Sequence, residues 1–194
     1  MEQAKSWLQV TMLKKLIWEV RVSKVKSSSV KKMILAALFL ALGIIFPFFT
    51  AQIKEIGDTL LPMHMPVMLC GLVCGWQYGL TVGVLVPMLR AFSFGMPPLY
   101  PNAVWMALEL ATYGFVLGCL YEKRRKSIGW LYACLAIGMI AGRIVWGIAK
   151  AILLGMEGSS FTMAAFIAGG FVDALPGIVL QFVVIPIVMR IKKN

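Results

Sequence analysis

Long blocks of apolar residues constrain the fold of this chain more than any other feature. Blocks of this length show neither the alternation of a half-buried strand nor the stripe of an amphipathic helix, and they are typical of membrane-spanning helices. The composition agrees, because 60% of the 194 residues are hydrophobic and 14% are charged, whereas a soluble domain carries about 25% charged residues. The sequence therefore predicts an all-α integral membrane protein.

Polar, basic or proline-rich stretches separate the apolar sequence into six blocks, which predict six transmembrane helices in one bundle. The second block would form a helix only about 22 Å long, against roughly 30 Å for the hydrocarbon core of a bilayer. We therefore expect this short second helix to be tilted, incomplete or packed inside the other helices. The approximate spans are Met33–Phe49, Pro62–Trp76, Gly79–Phe94, Asn102–Tyr121, Ile128–Leu154 and Phe161–Met189.

Basic residues flank the predicted helices on one side. Of the nineteen Lys and Arg residues, eight lie in the leader up to Lys32, four in the run 123–126 and three in the tail from Arg190. An even number of spans places these groups in one compartment, which the positive-inside rule identifies as the cytoplasm. We therefore expect both termini in the cytoplasm, and no nucleic-acid partner, because no separate basic domain remains.

The first thirty residues are expected to form a cytoplasmic leader, either an amphipathic helix on the membrane surface or a disordered segment. They lack the apolar core and small-residue cleavage site of a secretory signal peptide. Residues 31–194 are expected to form a single membrane domain, because their length suits one compact bundle.

Charged and polar residues within the predicted spans carry the functional signal, since each charge costs about 2.5–3.5 kcal/mol to insert in a bilayer. They avoid the inner third of the predicted membrane, as expected for a site that opens outward. On the fourth and fifth spans they recur at three- and four-residue spacing, so each set shares a helix face, and we expect both faces to line a pocket for a polar or zwitterionic ligand. The predicted ligand-binding residues are His64, Arg90, Asn102, Trp105, Glu109, Arg143, Trp146, Lys150 and Asp173.

Structural roles for these residues are the alternative. Glu109 with Arg143, or Asp173 with Lys150, would form ion pairs that hold helices together and bind no ligand. His64 would cap a helix or bond a backbone carbonyl, and the tryptophans would anchor the chain at the membrane interface.

No motif of enzyme chemistry occurs in the sequence. Without a Walker motif the chain is not expected to hydrolyse ATP, and no HExxH or GxSxG pattern indicates a metalloprotease or a serine nucleophile. We interpret the cysteines as small buried residues, because two thiols with one distant histidine make a weak metal site. The four are Cys70, Cys74, Cys119 and Cys134.

Small residues on the first span begin a series of features that points to a known family. Ala37 and Ala41 form a small-xxx-small pattern, which lets another helix approach closely in lipid. The segment LPMHMPVMLCGLVCGWQYGL (61–80), the outer loop FGMPPLYP and a basic inner loop follow in order. With the opening span KKMILAALFLALGIIFPFF, they resemble the substrate-binding S components of energy-coupling factor (ECF) transporters over residues 31–193.

This resemblance implies a bacterial cytoplasmic-membrane subunit that captures a vitamin or vitamin precursor from outside. It implies partnership with a transmembrane coupling protein, which Ala37 and Ala41 would contact, and with two ATPase subunits that use ATP, while the chain itself holds no cofactor. A carboxylate of the ligand would meet Arg90 or Lys150, so Arg90→Ala is expected to weaken binding at least tenfold, about 1.4 kcal/mol.

Two other functions stay open at the level of the sequence. A membrane enzyme acting on lipid head groups would use Glu109 or Asp173 as an acid or base, although such enzymes usually carry a metal-binding pair such as DxxD, which is missing here. A membrane scaffold would recruit partners and bind no small molecule. The sequence does not identify the vitamin.

Overall fold

A computed structural model describes residues 29–50, 61–123, 127–159 and 161–191. The chain divides into two compact units, Met1–Ile34 and Leu35–Asn194. In the first unit, residues 29–34 are described and helical, whereas residues 1–28 of the predicted leader lie outside the described part. The described residues form helices and no strands, which confirms the all-α prediction.

The described part of the chain contains seven α-helices. A 3-10 turn, Phe46–Thr50, continues the first helix, while π-helical turns at Leu99–Ala103 and Ala168–Val172 precede the fourth and seventh helices. The helices are α1 (29–45), α2 (His64–Cys74), α3 (Trp76–Phe94), α4 (Val104–Lys123), α5 (Ile128–Met156), α6 (Met163–Ile167) and α7 (Leu175–Ile191).

Four helical segments of the described chain are long and apolar enough to cross a membrane: Ser29–Phe48, Leu99–Glu122, Ile128–Met156 and Met163–Ile191. The α2 helix has 11 residues and is too short for this class, as expected for the second span. The 19-residue α3 helix coincides with the third predicted span but is not among the four. The multi-helix membrane architecture is confirmed, and the count of six spans stays a prediction.

Glycines bring α2, α3 and α4 into backbone contact. A Cβ atom added to Gly114 would lie 2.2 Å from the carbonyl oxygen of Gly79, and one added to Gly71 would lie 2.5 Å from that of Gly114. A Cβ on Gly83 would lie 2.6 Å from backbone atoms of Leu110. Residue numbers rise along α3 from Gly79 to Gly83 while those of the residues they contact on α4 fall from Gly114 to Leu110. The two helices are therefore antiparallel. Small residues allow such approach in membrane helices.

The contacts of α4 also give the directions of α2 and α5. Tyr113 lies against Gly142, and Leu117 lies against Gly138, so α4 and α5 are antiparallel. The first residue of α2 lies beside Glu109, and the middle of α2 contacts the middle of α4, so these two helices run in the same direction. The starts of α2 and α4 and the second half of α5 therefore lie towards one end of the bundle, which we call the site end.

Candidate functional site

One carboxylate oxygen, Glu109 Oε1, gathers three side chains inside the bundle. The Tyr113 hydroxyl donates to it over 2.9 Å, Arg143 Nη1 lies 3.1 Å away and His64 Nε2 lies 3.4 Å away. The approach of His64 is electrostatic, because this nitrogen has no partner in hydrogen-bond geometry. All four residues are buried, between 2 and 4% exposed. We call them the Glu109 cluster.

The Glu109 cluster is assembled because α2, α4 and α5 each place a polar residue at the same level. Each helix also contributes a side chain to the apolar core, namely Met68, Tyr113 and Met139. On each helix this core residue is four residues, or about one helical turn, away from the polar residue of the Glu109 cluster. In all three helices the core residue is the one further from the site end. A charged layer therefore lies directly on an apolar layer, and Tyr113 belongs to both.

Two members of the Glu109 cluster hold buried polar atoms without a partner among the described residues. These are Nη2 of Arg143 and both ring nitrogens of His64, of which Nε2 only approaches Glu109. Buried polar groups are nearly always hydrogen-bonded in folded proteins, and a guanidinium can only donate. The arrangement therefore offers hydrogen-bond donors to an acceptor that lies outside this set of side chains.

An aromatic cage surrounds the ammonium group of Lys150, further towards the site end. The Nζ atom lies 5.4 Å from the ring centroid of Trp105, 4.7 Å from that of Trp146 and 5.3 Å from that of Phe161. Both tryptophans are buried, and Phe166 packs against Trp146 at 6.1 Å between centroids. Three rings around one cation make a favourable electrostatic environment for a positive charge.

Trp146 joins the aromatic cage to the Glu109 cluster. The Cζ atom of Arg143 lies 5.8 Å from the centroid of the Trp146 ring that Lys150 also contacts. The two cations are spaced seven residues apart on α5, on the face that the sequence predicted. The structure thus brings together six of the nine predicted ligand-binding residues: His64, Trp105, Glu109, Arg143, Trp146 and Lys150.

Arg90 makes its described contacts with the end of α1 and the end of α3. Its Nη1 donates to the carbonyl oxygen of Ile44, and its guanidinium lies 5.1 Å from the ring of Phe48 and 5.6 Å from the ring of Phe94. The side chain is 2% exposed. These contacts hold the end of α1 and the 3-10 turn after it against α3, and a ligand contact for Arg90 stays a prediction.

Asn102 and Asp173 are not part of either group. Asn102 is half-buried in the π-helical turn before α4, and Asp173 is exposed in the turn before α7. Of the two ion pairs considered as structural alternatives, Glu109 with Arg143 is formed, whereas Asp173 pairs with no cation among the described residues. Ligand contacts for these two residues also stay predictions.

The sequence already places Tyr113 beside the predicted site, because it follows Glu109 by four residues on the same helix face. Phe161 is a residue of the aromatic cage that the sequence prediction missed. Phe161 follows a separate loop, and no periodicity relates it to Lys150. Gln181 on α7 is buried with an unpartnered Nε2, and its neighbours are apolar in sequence. In the described chain, no three His, Cys, Asp or Glu residues group together as metal ligands.

Comparison with known proteins gives one clear result. A family model described as "ECF transporter, substrate-specific component" matches residues 31–189, most of the chain. A search of curated proteins and a search of solved structures each found no significant match. The matched region contains both the Glu109 cluster and the aromatic cage.

Proposed function

The chain belongs to the substrate-specific components of ECF transporters, and on this premise we propose that it captures a vitamin or vitamin precursor outside the cell for import. Members of this family are substrate-binding transport subunits and not enzymes, so no catalytic residue is assigned. The family also implies ECF coupling and ATPase subunits as partners. We place the ligand at the Glu109 cluster and the aromatic cage.

The observation that carries this placement is the pair of unpartnered donor residues in the Glu109 cluster. An ion pair whose only role is to join helices would satisfy its donors, since an unpaired buried polar group costs about 1–3 kcal/mol. Here Nη2 of Arg143 has no acceptor among the described residues, and the guanidinium lies beside the ring of Trp146. Convergent polar groups within an aromatic lining are typical of small-molecule sites.

The proposed membrane arrangement is a six-span bundle in the bacterial cytoplasmic membrane, with both termini and the leader 1–30 in the cytoplasm. Support comes from the positions of the helices, which coincide with the six predicted spans, and from the alternating directions of α2, α3, α4 and α5. In this arrangement the site end faces outward. The basic groups then lie on the cytoplasmic side, as the positive-inside rule requires.

Thermal unfolding against a panel of B vitamins and their precursors tests the proposed function. For the detergent-purified protein, we expect one compound at about 100 times its Kd to add roughly 2.7 kcal/mol of stability. Compounds that differ from it in the polar head should give a much smaller shift. If a folded and ligand-free preparation responds to none of the compounds, the result contradicts capture of a vitamin and favours a scaffold.

A helix face of α1 is the proposed contact with the coupling protein. Ala36 and Gly43 are buried, and a Cβ on Gly43 would lie 2.8 Å from the side chain of Val86, so one face of α1 packs on α3. Ala37 and Ala41 are exposed on another part of the helix. Small exposed residues one turn apart permit close approach of a second membrane helix.

Ala37→Leu is therefore expected to reduce uptake of the ligand by cells at least tenfold while ligand binding by the purified subunit stays unchanged. The larger side chain would separate the two helices without reaching the site. Uptake of labelled ligand and co-purification with the coupling protein measure the effect. Ala151→Leu, a matched change on an exposed part of α5, is the control. Equal uptake by both variants would show that this face of α1 does not contact the coupling protein.

A further inference from the structure

We propose that Tyr113 is a positioning residue of the ligand site, whose hydroxyl holds the carboxylate of Glu109, and with it the other members of the Glu109 cluster, in the arrangement that receives the ligand. This inference rests on the proposed function and adds a role for a buried residue that acts through its neighbours. Three contacts of the tyrosine carry it, one with each of the helices that form the cluster.

The first contact is the hydrogen bond that the Tyr113 hydroxyl donates to Glu109 Oε1 over 2.9 Å. Arg143 Nη1 and His64 Nε2 approach the same oxygen, at 3.1 and 3.4 Å. The carboxylate of a glutamate can turn about its last side-chain bond, because the preference of that torsion angle is broad. A hydroxyl that is itself held in place restricts this rotation, so the tyrosine decides where Oε1 lies for the other two side chains.

The second contact places the tyrosine ring on the backbone of α5. A Cβ atom added to Gly142 would lie 2.3 Å from Cε1, 2.6 Å from Cζ and 2.7 Å from Cδ1 of Tyr113, so the ring occupies a space that only glycine leaves open. Arg143 is the next residue of α5. Two consecutive residues of α5 therefore meet a ring and a carboxylate that lie one turn apart on α4. The distance of Arg143 from Glu109 depends on how closely the ring approaches Gly142.

The third contact joins the tyrosine to α2. The ring centroids of Tyr113 and His64 are 5.5 Å apart, with an angle of 57° between the rings, which is a favourable separation for two aromatic groups. Tyr113 is 2% exposed and also belongs to the apolar core, together with Met68 and Met139. A ring that is enclosed by α2, α5 and the apolar layer has little freedom to change rotamer, so its hydroxyl has a fixed position.

The groups that the tyrosine positions are those with unpartnered atoms. Nη2 of Arg143 and both ring nitrogens of His64 have no hydrogen-bond partner among the described residues, and the proposed function places the ligand beside them. Binding groups of this kind must be held to within about 0.5 Å of their working geometry by supporting hydrogen bonds and packing. Tyr113 supplies both kinds of support, because its hydroxyl reaches Glu109 and its ring fills the space beside Gly142.

His64 is the only histidine of the chain, so its ring signals in a nuclear magnetic resonance spectrum report on the Glu109 cluster alone. The spectra are recorded on full-length, ligand-free protein in detergent, with the histidine isotopically labelled. Tyr113→Phe removes the hydroxyl and retains the ring, and we expect it to shift the ring-nitrogen signals of His64. Tyr132→Phe, the same exchange at an exposed tyrosine stacked on Phe182, should leave them at their wild-type positions. Unchanged signals in a folded Tyr113→Phe protein would overturn the inference.

A second pair of variants moves the tyrosine without removing any polar group. Gly142→Ala would push the ring of Tyr113 away from α5, whereas Gly138→Ala, one turn away on the same helix, meets the flexible side chain of Leu117. We expect the signals of His64 to shift in the first variant and to change much less in the second. Equal signals in the two variants would contradict control of the cluster through the ring of Tyr113.

Ligand affinity separates this inference from the proposed function. For any compound of the B-vitamin panel that stabilises the wild-type protein, Tyr113→Phe is expected to weaken binding at least tenfold, and Tyr132→Phe to leave it unchanged. Wild-type affinity in Tyr113→Phe would overturn the positioning role and leave the transport function intact. A protein in which Tyr113→Phe shifts the signals of His64, but which binds no compound of the panel, would instead overturn the proposed function and with it the role of Tyr113 in binding.

Discussion

Replacing Arg143 by methionine is expected to lower the free energy of unfolding by about 3–5 kcal/mol, the usual cost of removing one partner from a buried ion pair. The loss arises because Glu109, 2% exposed, would keep Tyr113 and His64 as neighbours but lose Arg143, the guanidinium that pairs with it in the described part of the chain. Methionine has a similar length, so the effect of lost packing is small. Reversible unfolding in mixed micelles at several denaturant concentrations measures the change.

A double-mutant cycle separates the ion pair from its surroundings. Glu109→Leu combined with Arg143→Met should recover most of the lost stability, because replacing both members of a buried pair by apolar residues is often neutral or stabilising. Arg190→Met at the exposed end of α7 controls for the loss of an arginine. Additive effects of the two single changes would mean that the side chains do not act as a unit, contrary to the 3.1 Å approach of their atoms.

The helices could be predicted from the sequence because bilayer insertion depends on local composition. Each helix begins and ends where a run of apolar residues is interrupted by Lys, Pro or Gly. These boundaries can be read from short stretches of sequence. The predicted Ile128–Leu154 and the observed Ile128–Met156 differ only at the last turn. The second predicted span was also correctly expected to be short. Whether α2 and α3 cross the membrane depends on their neighbours, which local composition does not describe.

The site could be predicted in part, because helix periodicity reveals which residues share a face but not which faces meet. The sets on α4 and α5 follow from three- and four-residue spacing, and the structure joins them through Arg143 and Trp146. Arg90 is as polar as Arg143, but its guanidinium donates to the carbonyl oxygen of Ile44 on α1. Only the packing of α1 against α3 decides this, and it depends on contacts between residues far apart in the sequence.

Binding and partner contact are proposed for different parts of the chain. The Glu109 cluster and the aromatic cage are formed mainly by α2, α4 and α5, while the exposed alanines lie on α1. Changes in the two regions should therefore affect different measurements, affinity in one case and uptake in the other.

Gly114→Ala is expected to destabilise the protein by about 3 kcal/mol, at the upper end of the usual cost of overpacking. The added methyl group would lie 2.2 Å from the carbonyl oxygen of Gly79 and 2.3 Å from its carbonyl carbon. These are backbone atoms, which cannot move away by changing a rotamer, so α3 would have to separate from α4. The Glu109 cluster would loosen as a consequence, because α4 also carries Glu109 and Tyr113.

Gly155→Ala near the end of α5 is the matched control for this prediction. No atom lies within 4 Å of the added methyl group there, and the residue is exposed, so the change should be neutral or slightly stabilising through the higher helix propensity of alanine. Unfolding of both variants, measured with and without ligand, gives the comparison. Equal stability of the two would contradict the close backbone contact of α3 with α4. Loss of stability in Gly114→Ala alone would show that the close backbone contact of α3 with α4 contributes to the stability of the bundle.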